Sequence, residues 1–234
     1  MAAKMITDAS GKWRYALEGD SVTITRRVNK AKGHMVLPNR LDRRAVTGIG
    51  DSAFADYNGI TAVTIPDSVR SIGGGAFAGC SRLTGITIPK GVTTISSDTF
   101  SRCISLTSVS IPDSVTIIGE RAFQYCESLT YVTIPDSVTS LGPRAFFNCY
   151  RLTGVSLSNC LTRIDRYTFS GCKSLTDITI PDSVTSIGYR AFHIRSEKTD
   201  NLVPNQNVTL CVTKGSFAAQ YAKKNRIPYV FVTE

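Results

Sequence analysis

Seven cysteines, two histidines and many Ser, Thr and Asp residues are the groups in this 234-residue chain that could do chemistry, and their spacing decides what kind. Five of the thiols, Cys80, Cys103, Cys126, Cys149 and Cys172, follow one another at 23-residue intervals. A linear row of that kind cannot surround a Zn²⁺ tetrahedrally, and the chain contains no Cys-x-x-Cys pair. If successive copies stack in register, their Cβ directions run parallel. Neighbouring Cβ atoms then lie farther apart than the roughly 3.5–4.5 Å of a relaxed disulfide. The five are therefore expected as buried free thiols that act as small apolar groups. Cys160 falls in a turn where the equivalent positions hold Ser, which marks it as the exposed, reactive thiol, and Cys211 is expected in the core of the last strand. His34 and His193 offer few candidates for acid–base work near neutral pH. No Gly-x-Ser-x-Gly elbow is present to activate one of the serines. Gly73-Gly-Gly75 lacks the Lys-Ser/Thr of a phosphate loop. The chain is expected not to be an enzyme, with no catalytic residue, metal or cofactor assigned.

The cysteine row is one column of a larger pattern. Phe54, Phe77, Phe100, Phe123, Phe146, Phe169 and Phe192 keep the same 23-residue step. So do Ile60, Leu83, Leu106, Leu129, Leu152 and Leu175, and Val69, Val92, Val115, Val138, Leu161 and Val184. Pro66, Pro89, Pro112, Pro135, Pro181 and Pro204 share the register, with one gap at Ser158. Within one unit, Val109 and Ile111 alternate with Ser108 and Ser110, the period-2 pattern of a half-buried strand. Pro112-Asp-Ser then has the chemistry of a turn. Val115 and Ile118 follow the corner, and Ala122, Phe123 and Cys126 are spaced for one inner face of a single helical turn. No such unit can bury its apolar residues alone, but copies stacked at about 4.8 Å per rung line up identical side chains into one interior. Seven rungs span about 34 Å at that spacing.

The unit Leu106-Thr-Ser-Val-Ser-Ile-Pro-Asp-Ser-Val-Thr-Ile-Ile-Gly-Glu-Arg-Ala-Phe-Gln-Tyr-Cys closely resembles the BspA-type leucine-rich repeats of bacterial surface and secreted proteins. The resemblance runs from Val46 to about Val203, in six or seven copies. It implies a right-handed leucine-rich-repeat solenoid, mostly β, with short strands and a single helical turn in each of about seven rungs. It also implies a binding or adhesion role outside the cell.

Caps must cover the end rungs, which would otherwise expose strand edges and core. The organisation read from the sequence is an N-terminal β cap with a degenerate first repeat over 1–45, repeats over 46–203, and a C-terminal cap over 204–234. In the first cap, Trp13–Leu17 and Val22–Thr25 read as a hairpin, and His34-Met-Val-Leu-Pro38 imitates a repeat strand. Pro38 lies 28 residues before Pro66, so five extra residues around Arg40–Arg44 are expected to loop out. Toward the end, Ile194 to Asn201 reads as a polar loop and Val208, Leu210 and Val212 as a last alternating strand. Ser216 caps a short helix from Phe217 to about Asn225, with Phe217 and Tyr221 on one face, and Ile227 to Val232 closes as an extended edge.

The formal charge is +9, but residues 46–192 carry 11 basic and 11 acidic groups, so the caps hold the whole excess. A nucleic-acid binder would place its basic stripe along the long surface, which makes nucleic acid an unlikely partner. The basic cluster Arg26, Arg27, Lys30, Lys32, Arg40, Arg43 and Arg44 leaves binding of another polyanion as a third reading. No apolar run is long enough for membrane insertion, and the start shows no apolar segment of a signal peptide; either the chain is not exported or a signal has been removed. The exposed strand positions include Ala62, Gly85, Ser108, Tyr131, Gly154 and Asp177, with Tyr131 the one large anchor. Tyr131, Thr133 and Asp177 are accordingly the expected contacts to a ligand. Columns of hydroxyls from Thr61 to Thr176, and at Thr64, Thr87, Ser110, Thr133, Ser156 and Thr179, are expected to stabilise cross-strand packing. The leading expectation is a monomeric binding module of a surface or secreted protein that contacts a protein or polysaccharide. The alternative is a structural spacer with no ligand of its own.

Overall fold

The computed structural model describes residues 5–196 and 201–232. Each repeat contributes a short strand to one column of stacked strands. Among the described residues that column has nine members: Gly33–Val36, Ile60–Thr64, Gly85–Thr87, Ser108–Ser110, Tyr131–Thr133, Gly154–Ser156, Asp177–Thr179, Thr209–Val212 and Tyr229–Phe231. Pairing within it is parallel, with Ala62 opposite Gly85, Gly85 opposite Ser108 and Tyr131 opposite Gly154. The stack is therefore about nine turns rather than seven. The caps add the extra turns because backbone pairing does not require the repeat's side chains: His34 lies opposite Ala62, Asp177 opposite Thr209, and Leu210 opposite Tyr229.

A second column of two-residue strands, Thr94–Ile95, Ile117–Ile118, Ser140–Leu141, Arg163–Ile164 and Ser186–Ile187, follows the turns of five successive rungs and is also parallel. Ser side chains tie consecutive corners together. The Ser114 hydroxyl donates to the Val92 carbonyl and that of Ser137 to the Val115 carbonyl, each at 2.7 Å.

The third corner of each rung differs from expectation. Ala122, Phe123 and Cys126 do point inward and are fully buried, but they sit on successive tight turns rather than on a helical turn. Arg121 and Tyr125 have φ of 55° and 58°, left-handed values that a right-handed helix cannot contain. The reason lies in where the N–H groups go. Those of Ala122, Gln124 and Cys126 donate three residues back, to the Gly119, Arg121 and Phe123 carbonyls. Those of Arg121, Phe123 and Tyr125 donate to the next rung, at Pro143, Ala145 and Phe147. A helix would point all its N–H groups one way along its own axis, so it could not send alternate ones to the next rung. Among the described residues the one α-helix is Phe217–Asn225.

The interior is the expected one. The seven column phenylalanines are at most 1% exposed, with successive ring centroids 5.3–5.7 Å apart and planes within 21° of parallel. Beside them the five column cysteines are free and fully buried. Each Sγ–H donates to a Phe carbonyl, as Cys126 does to Phe100 at 3.3 Å, which satisfies the thiol without a disulfide.

The N-terminal cap pairs Trp13–Glu18 antiparallel with Ser21–Arg27, and Ser21–Arg27 then lies parallel to Arg44–Ile49. The extra residues near Arg40 do not form an irregular loop. Arg40–Leu41 and Arg44–Ile49 pair through a two-residue turn in which Asp42 and Arg43 both have positive φ, 44° and 69°. This is the twist-matched hairpin geometry in which Asp is readily accepted. Toward the other end, His193–Arg195 and Leu202–Pro204 pair antiparallel at the two ends of the expected polar loop, of which residues 197–200 lie outside the described residues. The Ser216 hydroxyl accepts from the Ala219 N–H at 3.1 Å and caps the helix as expected. Phe217, however, is 42% exposed while Tyr221 is buried, so the two do not share an inward face.

Candidate functional site

On the strand column, alternation turns Val132 inward and leaves Tyr131 and Thr133 outward, and Tyr131 is 54% exposed. Its ring leans over the next rung because Gly154 has no side chain: a Cβ there would meet Tyr131 ring carbons at 3.0 Å. Two rungs on, the Asp177 carboxylate accepts from the Thr176 hydroxyl at 2.9 Å. Tyr131, Gly154, Ser156, Asn159, Asp177 and Thr179 border a shallow depression of about 410 Å³. Tyr131 and Asp177 are therefore brought to one hollow, while Thr133 stands outside it on the same strand. The strand column changes partner around them: it is paired as separate groups of four, two and three strands, with Tyr131–Thr133 and Gly154–Ser156 forming the middle pair.

The hydroxyl column that begins at Thr61 serves the scaffold. The hydroxyls of Thr84, Thr107 and Thr153 donate to the Thr carbonyl one rung back at 2.9–3.1 Å. Of the cap arginines and lysines, Arg27 lies over the Trp13 ring, Lys30 donates to the Asp56 carbonyl, and Arg40 donates to the Arg43 carbonyl. Arg26, Lys32, Arg43 and Arg44 are exposed. Because Ala45 lies opposite Ser21, Arg44 is at one end of the paired strands and Arg26 at the other, about 20 Å apart by strand rise. The seven cap residues thus form two groups rather than one patch.

The groups that could do chemistry are dispersed. The ring of His34, in the first strand of the column, meets the Thr64 hydroxyl at 2.8 Å, and His193 is buried in the rung of the seventh strand. Burial, with Arg190 nearby, holds the His193 imidazole below its usual pKa. Burial pushes the Cys80 and Cys172 thiols up to about 12, and those of Cys103, Cys126 and Cys149 well above their ordinary value. Cys160 is exposed as expected. Cys211 is half-buried rather than core, because Leu210 and Val212 take the inward positions of its strand. No group of three or more His, Cys, Asp or Glu residues among those described could hold a metal ion. No helix among the described residues is long and apolar enough to cross a membrane.

One surface feature escaped sequence reasoning. At the tight-turn corner, Tyr125, Phe147, Tyr167 and Tyr189 form a chain of edge-to-face contacts, with centroids 5.8, 6.5 and 5.7 Å apart. Arg102, Arg144, Arg190 and Lys173 stand over Tyr125, Tyr167, Tyr189 and Tyr150 at 4.8–6.0 Å from the ring centroids. The signal was the appearance of aromatics beside the column phenylalanines, where earlier rungs have Ala55, Ala78, Gly79 and Ser101. A helical-turn reading hid it, because it did not place these positions on one outer face.

The stacked 23-residue rungs, the phenylalanine column and the short parallel strands define a leucine-rich-repeat solenoid. The sequence matches the BspA type leucine rich repeat region in six copies, over residues 47–149 and 93–211, and the chain belongs to that family. No curated protein matches its sequence. The chain is similar to a leucine rich repeat protein of T. pallidum, at 28% identity and a TM-score of 0.76 over 97% of this chain and 99% of that one. It is also similar to a leucine-rich repeat protein from Bacteroides ovatus, at 28% identity and a TM-score of 0.71 over 87% of this chain and 55% of the other. A leucine-rich repeat protein from Eubacterium ventriosum has 25% identity and a TM-score of 0.60, over 77% of this chain and 49% of its own length. The chain thus spans about half the length of the last two.

Proposed function

We propose that the chain is a non-catalytic binding module of a bacterial surface or secreted protein, contacting a protein or polysaccharide outside the cell through its strand column. The observation that carries this reading is Tyr131, a large aromatic left 54% exposed over Gly154 at the rim of a hollow that also holds Asp177. Tyr is among the residues that dominate recognition surfaces, and a carboxylate beside one supplies a directional hydrogen-bond acceptor. Family membership and the dispersal of His and Cys support a binding scaffold over an enzyme.

The test is surface plasmon resonance of the intact chain against extracellular-matrix proteins and cell-wall and host polysaccharides, alongside Tyr131→Ala and Asp177→Ala. Binding that falls about tenfold or more in Tyr131→Ala supports the reading. Binding indifferent to both substitutions, or none across the panel, supports the spacer alternative instead. Polyanion binding by the first cap is the weaker reading, because its seven basic residues are divided and three are engaged with neighbouring groups.

A further inference from the structure

The tight-turn corners carry two adjoining depressions. One, of about 620 Å³, has Asp56, Asp98, Arg102, Arg121, Gln124 and Arg144 among its walls. The other, of about 360 Å³, is lined by Tyr125, Phe147, Asn148, Tyr150, Lys173 and Arg195, together with Gly171 and Leu202. They meet where Arg102 stands 6.0 Å from the Tyr125 ring. In the second depression the Tyr125 and Phe147 rings lie 83° apart, so a face and an edge are offered side by side, and the Lys173 ammonium is 5.8 Å from the Tyr150 ring.

We propose that the aromatic depression is a binding site for an acidic saccharide of the uronic-acid type: its pyranose ring packs on Phe147 and Tyr150, its carboxylate meets Lys173, and a hydroxyl meets Asn148. Half-buried rings side by side with cations suit a ligand that has an apolar C–H face and a carboxylate on the same ring. The Asn148 carboxamide can both donate to and accept from hydroxyls. It lies against Gly171, where a Cβ would come within van der Waals overlap of its oxygen.

Two other ligand classes fit less well. An extended peptide binds a sheet edge through free backbone donors, but at these corners the N–H groups of successive residues are already used, alternately within the turn and toward the next rung. A nucleic acid brings one charge per nucleotide, and Glu127, whose charge adds to burial in raising the Tyr150 pKa, opposes that density beside the aromatic depression. A sparsely charged, hydroxyl-rich ligand remains. The site is separate from the Tyr131 hollow, so the two readings fail independently.

The experiment is isothermal titration calorimetry of the intact chain at low salt with oligogalacturonate, its methyl ester and a poly-glutamate peptide. Oligogalacturonate is expected to bind, with the ester and the peptide about tenfold weaker. Phe147→Ala and Tyr150→Ala are each expected to weaken it about tenfold. Lys173→Gln, at an exposed position, should fold as the parent does and abolish the preference for the acid over its ester. Three results would overturn the proposal: no oligogalacturonate binding, poly-glutamate binding as tight as the uronide, or acid preference unchanged in Lys173→Gln. If either aromatic variant fails to fold by circular dichroism, the Lys173→Gln result decides alone.

Discussion

Replacing Phe123 by Ala tests whether the ring column is the interior that holds the rungs together. Phe123 is fully buried, with centroids of Phe100 and Phe146 at 5.4 and 5.3 Å, so truncation leaves a gap faced by a ring on each side. Neither backbone is free to close in on it. Phe100 and Phe146 are fixed by backbone bonds to the following rungs, from Phe100 N–H to the Ala122 carbonyl and from Phe146 N–H to the Thr168 carbonyl. Poor collapse places the cost in the usual range for a buried Phe→Ala change, about 3–5 kcal/mol. In a chain of this length each kcal/mol lowers Tm by about 2–4 °C, so the drop should be about 6–20 °C. Phe147→Ala is the control, since it removes the same atoms from a half-buried outer ring one residue from the column, and should cost about 1–2 kcal/mol. Urea unfolding followed by circular dichroism measures both. A cost below about 1 kcal/mol for Phe123→Ala, or equal costs for the two variants, would refute the argument that shared burial along the column stabilises the stack.

Two further predictions concern the thiols. With DTNB at neutral pH the native protein should label Cys160 first and half-buried Cys211 more slowly, while the five column thiols react only after unfolding; rapid labelling of more than two thiols would contradict their burial. The column thiols have raised pKa values when folded, so the protonated form is favoured in the native state. Their contribution to stability is complete below the unfolded thiol value of about 8.5 and is lost as pH rises toward the folded values, at up to about 1.4 kcal/mol per thiol per pH unit. The urea midpoint should therefore fall between about pH 8.5 and 10.5, and the slope should flatten in Cys126→Ala; a midpoint independent of pH over that range would count against it.

The repeat was legible because a stacked rung gives each equivalent side chain the same surroundings, so the 23-residue step of Phe54 to Phe192 records a spatial column directly. The cysteine row was legible for the same reason, and so was the exposure of Cys160, where Ser gives way in a turn column. Cys211 was misplaced because it was set in the core beside Leu210 and Val212, the alternating residues of its own strand. Its inward residues are Leu210 and Val212, and strand alternation sends Cys211 the other way. Of the candidate site, Tyr131 and Asp177 were legible as outward strand positions, but their meeting at one hollow depends on the leaning of Tyr131 over Gly154.

The sequence by itself determined the period, the inward set and the corner at each Pro, because these rest on side-chain chemistry repeated rung after rung. The tertiary structure alone decided three things: that both caps continue the stack to nine strands, that the third corner is a pair of left-handed turns, and that the aromatics at that corner share one outer face. Each depends on where backbone N–H groups find acceptors. That pairing runs between rungs and is almost blind to side-chain identity, so it leaves little trace in the order of residues.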